Sequence, residues 1–334
     1  MRNCWAGLIL GISLAWGWAE EPVSRIGFGS CYKPEKSTPL WDRVADFDPQ
    51  VWLWLGDNGY PDVIDGKLIK QNLPQDAFKK SYTALAQSEG IAVLKKLPAG
   101  HMMATWDDHD YGLNDAGKHW ERKRDAQKAF MEFWGGEERS DGVYSSRDFG
   151  PEGKRVRVIL LDTRFNRDDP GPGGDILGER QWKWLEKELG RPGAGVVVIG
   201  SSIQVLANQN RFEKWGNFPK AKERLLGLIR TTGAKGVILV SGDRHHAEIS
   251  KAPETPAGYP LYDVTSSGLT EKSSVQNEPN DLRLGEVFAG RNFGVITIDW
   301  SVDDPALRLE IRDEEGQVVN EASFPLSQLA PPKG

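Results

Sequence analysis

Val51-Trp52-Leu53-Trp54-Leu55-Gly56-Asp57-Asn58-Gly59-Tyr60 carries five apolar residues straight into a glycine, a carboxylate and, three positions on, a phenol. A short unbroken apolar run closed by a turn reads as a buried strand, here 51–56. A carboxylate at the tip of such a strand suffers a large desolvation cost if it stays unpaired. A cation offsets that cost, and one carboxylate can bridge two cations with its two oxygens.

Outward from this segment, short β-type runs recur at 25–31, 101–106, 156–162, 196–201, 236–241, 261–265, 292–299, 307–312 and 318–324. Helical patterns fill gaps at 77–97, 116–134, 179–189 and 220–231. Strands alternating with helices predict an α/β core, and the closing strands without helices predict the edge of a mixed sheet. No linker divides the chain, so residues 20–334 read as a single domain, with a Pro-rich tail after Leu326 expected to fray.

Strand after strand ends in an acid, a His or a Cys: Cys31, then Asp57, then Asp107-Asp108-His109-Asp110, then Asp162-Thr163-Arg164, then Asp243-Arg244-His245. Ligands of open α/β sheets bind beyond the carboxyl ends of the strands. The acids at 107, 108 and 110 repel one another unless something positive neutralises them. A solvated acidic turn is the plainer reading, but the apolar Met102-Met103-Ala104 before it favours metal ligation. Flanking acids would hold His109 protonated near neutral pH, making it a candidate general acid, and direct ligation by His109 stays open. Asp243 and His245 stand two apart after a strand and can face one side. Thiolate and phenolate donate strongly to a high-charge metal, so Cys31 and Tyr60 point away from a purely Ca²⁺ or Mg²⁺ site. A lone Cys is also a common small core residue, and at 31 the two readings balance.

The full chain has 334 residues, a formal charge of −6, 39 % hydrophobic and 27 % charged residues. This is a globular composition, and it excludes disorder as the main state and disfavours binding driven by nucleic-acid phosphates. Two Cys exclude a disulfide scaffold. Arg2, an apolar run through Ala15 and the small residues Gly17 and Ala19 predict a signal peptide over 1–19; the run is short for a membrane span, and an uncleaved anchor is the lesser alternative. Export to the periplasm or the medium follows, and Cys31 is then the one remaining Cys. The thirteen Trp include Trp120, Trp134, Trp182, Trp184 and Trp215, which pack the core or stack a bulky leaving group.

Five segments in order, Gly29-Ser30-Cys31, Gly56-Asp57-Asn58-Gly59-Tyr60, Thr105 to Asp115, Leu161-Asp162-Thr163-Arg164 and Ser241-Gly242-Asp243-Arg244-His245, resemble the alkaline phosphatase D (PhoD-like) metallophosphatases of the calcineurin-like superfamily. The resemblance implies a four-layer α/β/β/α sandwich with mixed sheets flanked by helices. It implies that Asp57 bridges two metals. By the same resemblance Cys31, Tyr60 and His245 would complete an iron (Fe³⁺) site, and Asp108, Asn114 and Asp243 would serve a second site for calcium (Ca²⁺). His109 would assist the leaving group or hold the phosphate. Arg164 would contact phosphate or, equally, form a structural ion pair with Asp162 or Asp168. Asp62 stands where many members have Glu, and the N-terminus lacks the Arg pair of the longer members.

These readings predict an exported hydrolase of small phosphate monoesters that uses a metal-activated water or oxide. A phosphodiesterase or phospholipase D-like activity at the same site is the first alternative. A secreted metal-binding protein without turnover is the second. A monomer without a membrane anchor is expected.

Overall fold

In the computed structural model, residues 21–137, 139–274 and 278–331 are described, so the segment 1–19 expected to be a signal peptide lies outside the described residues. In chain order the strands are β1 (Arg25–Gly29), β2 (Val51–Leu55), β3 (Val63–Ile64), β4 (Lys67–Leu68), β5 (Met102–Thr105), β6 (Ser145–Phe149), β7 (Arg155–Leu160) and β8 (Ala194–Gly200). They continue with β9 (Val237–Ser241), β10 (Ala247–Ala252), β11 (Leu261–Ser266), β12 (Arg283–Phe288), β13 (Asn292–Asp299), β14 (Ala306–Asp313) and β15 (Val318–Pro325). The helices are α1 (Leu40–Phe47), α2 (Ala77–Ala86), α3 (Glu89–Leu94), α4 (Asp108–Tyr111), α5 (Lys123–Trp134), α6 (Gly178–Gly190) and α7 (Pro219–Thr231).

The alternation inside β2 explains the layering. Side chains of a strand point to opposite faces in turn. Val51, Leu53 and Leu55 enter one apolar cluster, with Ile26 and Phe28 of β1 and with Val158, Leu160 and Val198 of the other large sheet. Trp52 and Trp54 enter a second cluster, with Leu40, Trp41 and Val44 of α1, Phe78 and Leu85 of α2 and Phe130 of α5. The six-stranded sheet, ordered β15-β14-β13-β1-β2-β5, is therefore covered on one face by helices and on the other by the seven-stranded sheet β12-β10-β11-β9-β8-β7-β6. Trp182 and Leu185 of α6 and Leu225 and Ile229 of α7 join the first cluster. This is the expected α/β/β/α sandwich of mixed sheets. The close fit shows at Gly27, paired in register with Trp52, where a Cβ would lie 2.6 Å from the indole ring.

Several expectations need correction. The helix expected over 77–97 is two helices, because the Ser88 hydroxyl accepts from the Ile91 N–H at 3.3 Å and starts α3 afresh. The helix expected from 116 begins at Lys123, since the backbone before it is engaged elsewhere: Lys118 N–H donates to the Arg167 carbonyl at 2.8 Å. The tail does not fray at Leu326. A 3₁₀ turn spans Leu326–Leu329, Leu329 is fully buried, and its carbonyl accepts from Gly236 N–H at 2.8 Å. Helices α1 and α4 and strands β3, β4, β6, β10 and β12 are not among the elements the sequence predicts. β6 and β12 are edge strands with little apolar alternation, and β10 buries Glu248 and Ser250 in place of apolar residues.

Candidate metal centre

Parallel pairing decides where the polar tips go. β1, β2 and β5 are mutually parallel neighbours, so their C-terminal ends share one edge. β7, β8, β9 and β11 are parallel in the same way within the second sheet. The two edges meet. Cys31 Sγ lies 3.4 Å from Asp57 Oδ2 and 3.1 Å from the hydroxyl of Ser267, which follows β11. Cys31, Asp57 and His245 each present a ligand atom within 4.8 Å of the others. So do Asp57, Asp108 and His109, and so do Asp107, Asp108 and Asp243. Tyr60 completes the approach to Asp57, its hydroxyl 3.4 Å from Oδ2. Asn114 lines the same cavity as Asp57, Asp108, His109, Asp243 and His245, a cleft of about 670 Å³. All seven residues expected to hold metal are thus gathered at one place.

The backbone is unusual there. Cys31 (φ 58°), Asp57 (φ 51°), Asp243 (φ 71°) and His245 (φ 53°) all adopt the left-handed region. Non-glycine residues seldom do so, Asp less reluctantly than Cys. Such conformations cost of order 1–3 kcal/mol and cluster where function demands them. Gly56 (φ 99°) adds a close approach: a Cβ there would lie 2.5 Å from the Cβ of Asp107, where the ends of β2 and β5 converge.

The electrostatics define what the site lacks. Burial pushes the carboxyls of Asp57 and Asp243 well up, and neighbouring aspartates add to it. Burial also raises the Cys31 thiol and the Tyr60 phenol, with Asp57 pressing on both. Burial and neighbouring negative charge thus both disfavour the anionic forms of these donors. A bound cation reverses the sign of the environment and deprotonates the thiol outright. The donor set fits two kinds of ion: sulfur, phenol oxygen and imidazole for a transition metal, and carboxylate and amide oxygens for a hard cation.

Two histidines are pushed apart. Burial takes His245 down to about 4, leaving the neutral imidazole that a metal requires. His109 moves well up: burial opposes its charge, but Asp108, Asp57 and Asp62 outweigh burial. Its Nδ1 is 2.9 Å from Asp62 Oδ2, and this buried carboxylate orients the ring. In the sequence Asp62 stands out only as a departure from the family pattern, and its place two residues past Tyr60 is the one local signal for it.

The acid cluster divides by role. Asp108 is held down to about 2, because His109, Arg164 and two backbone N–H groups overcome its burial. Asp110 does not line the cleft. Its carboxylate accepts from the N–H groups of Asn58 (3.0 Å), Gly59 (3.1 Å) and Asp107 (3.1 Å), and so shapes the turn that presents Asp57. Arg164 does not line the cleft either. Expected at phosphate, its guanidinium is fully buried against Asp107 and against Glu213, 2.5 Å away. The ion-pair reading is the one that matches, but with these partners and not with Asp162 or Asp168, because loop 201–217 delivers Glu213 from across the sheet. Removing one partner of such a buried set strands the others. Arg164→Met is expected to lose about 3–5 kcal/mol in denaturant unfolding. A loss below 1 kcal/mol would show that the two carboxylates need no guanidinium.

Among the described residues no tryptophan lines the cleft. Trp182 and Trp215 are fully buried in the core. Trp120 and Trp134 pack against the helical layer and Trp184 against the sheet core, a packing role and not one of stacking on a leaving group.

A two-sheet sandwich with carboxylates, imidazoles, a thiol and a phenol gathered at its strand tips defines a calcineurin-like metallophosphatase fold. The chain belongs to the PhoD-like phosphatase family, whose model matches residues 26–283. It is similar to alkaline phosphatase D of Bacillus subtilis (strain 168), 26 % identical over 200 residues that cover 48 % of this chain and 34 % of that one, so the match spans about a third of that relative. Among solved structures it superposes on PhoD with a TM-score of 0.71 at 17 % identity, covering 93 % of this chain and 71 % of that one. It also superposes on a purple acid phosphatase from yellow lupin (Lupinus luteus) seeds with a TM-score of 0.65 at 16 % identity, covering 92 % and 54 %. A third neighbour is GAP50 of Plasmodium, with a TM-score of 0.62 at 13 % identity, covering 94 % and 90 %.

Proposed function

We propose that this chain is an exported, metal-dependent phosphoesterase that hydrolyses small phosphate monoesters. The observation that carries the reading is that Asp57 belongs both to the Cys31–His245 cluster and to the Asp108–His109 cluster. Cys31, Tyr60, Asp57 and His245 would hold Fe³⁺; Asp108, Asn114 and Asp243, with Asp57, would hold Ca²⁺. Bound there, the ions polarise phosphoryl oxygens and acidify water. The chain's own part is to place the ester and to manage a proton. With Nδ1 engaged by Asp62, the remaining His109 nitrogen is free to protonate the departing alkoxide. Arg164 and Asp110 act at one remove, holding Asp107 and the turn at Asn58. Export by way of residues 1–19 belongs to the same reading, which pairs the free, buried Cys31 with a metal and not with a disulfide. Among the described residues no helix is long and apolar enough to cross a membrane.

Phosphodiester hydrolysis is the second reading. It is favoured by the breadth of the cleft, which continues past the acidic cluster to Arg211, Phe212 and Lys272. Elemental analysis of purified protein with a panel of chromogenic mono- and diesters tests both. Iron and calcium with higher kcat/KM on monoesters is the expected result; higher kcat/KM on diesters selects the second reading, and bound metal without turnover leaves a binding protein. Cys31→Ser is expected to lose iron and the visible phenolate band; full retention of both removes Cys31 from the site.

A further inference from the structure

Ser267 is fully buried, follows β11 directly and has no place in the roles assigned so far. Its hydroxyl touches two of the residues read as ligands of one metal. It accepts the backbone N–H of His245 at 2.8 Å, and it lies 3.1 Å from Cys31 Sγ. A hydroxyl has one proton and two acceptor lone pairs. An N–H can only donate, so the contact to His245 occupies a lone pair and leaves the Ser267 proton for the sulfur.

The other neighbours of the sulfur do not compete well for this role. Asp57 Oδ2, at 3.4 Å, is an acceptor when ionised and offers nothing to a thiolate. The Ser30 hydroxyl lies 3.6 Å from the sulfur and nearer the Ser266 carbonyl, at 3.3 Å. The position of Ser267 is held by backbone. Leu269 N–H donates to the Ser30 carbonyl at 3.2 Å and Thr270 N–H to the Cys31 carbonyl at 3.3 Å. The Thr270 hydroxyl also donates to the Cys31 carbonyl, at 3.2 Å. The segment after β11 is thus laced to the turn that carries the sulfur.

We propose that Ser267 is a positioning residue of the metal centre: its hydroxyl donates a hydrogen bond to the Cys31 thiolate while fixing the His245 backbone, and so tunes the electron donation of the sulfur to the metal. The inference rests on the reading of Cys31 and His245 as ligands of one metal. Hydrogen bonds around a ligating sulfur set its donor strength, and partners standing behind ligands change metal affinity by about 10–100-fold.

The test uses the purified full chain loaded with Co²⁺, whose thiolate charge-transfer band reports on the sulfur. In Ser267→Ala the band is expected to move to longer wavelength, because the sulfur lone pairs lose a stabilising donor. Co²⁺ affinity is expected to fall by about 10–100-fold. Ser267→Thr, which keeps the hydroxyl, is expected to restore the band position. A role limited to bracing the His245 backbone would weaken binding and leave the band where it is, and that result overturns the proposal. Should the Ala variant fail to fold, Ser267→Gly removes the same donor without adding a second sulfur and reads the same band, with the same shift expected and no shift overturning the proposal. A wild-type protein that binds Co²⁺ with no thiolate band overturns the Cys31 ligand reading itself, and this inference with it. A band that Ser267→Ala leaves unmoved removes only Ser267.

Discussion

Asp57→Asn is expected to strip the centre of metal and activity together. The substitution keeps the shape of the side chain and removes one negative charge shared by the two clusters. A unit charge 4 Å from a unit cation is worth about 4 kcal/mol at an effective dielectric of about 20, or roughly 10³-fold in affinity for each ion. The fold is expected to survive, because the desolvated carboxylate is itself a cost to the metal-free protein. The variant should unfold no earlier than metal-free wild type, show little bound iron or calcium by elemental analysis, and turn over no substrate above background. Full metal content with residual activity would end the bridging role.

His109→Ala is expected to slow alkyl phosphates by about 10²–10⁴ and nitrophenyl phosphate far less, since only the poor leaving group needs its proton. Equal slowing on both would assign His109 to phosphate binding. The pH dependence gives the same reading a second handle. The neighbours Asp108, Asp57 and Asp62 raise the pKa of His109 above its ordinary value. The acid form is therefore present below that raised pKa and is lost as pH rises through it, so kcat/KM on alkyl phosphates should fall along an alkaline limb. Asp62→Asn removes one of the charges that hold the proton and should move that limb to lower pH. A limb that stays in place in Asp62→Asn would separate His109 from the proton transfer.

Asp57, Cys31 and Tyr60 could be found in the sequence because each stands at or just past the end of an apolar run, and a chain that buries a strand must account for the polar group at its tip. Asp243 and His245 were legible for the same reason. Asp62 and Glu213 were not, since what matters about each is the partner it reaches. Asp62 meets His109 across 47 residues, and Glu213 meets Arg164 through a loop whose path no local pattern encodes. Ser267 is a further case, 236 residues from the sulfur it touches.

The amino-acid order by itself determined an α/β core of strands alternating with helices and the set of groups available for chemistry, while the four-layer sandwich was implied by the family resemblance. Hydrophobic periodicity is local, and it says which segments must be buried and where each one stops. Only the tertiary structure decided which acids face the cleft and which are tied up behind it, so that Asp108 lines the cavity while Asp107 is held by Arg164 and Asp110 by backbone N–H groups. That division depends on parallel pairing of strands distant in sequence and on the meeting of two sheet edges, and neither leaves a mark in any short window of residues.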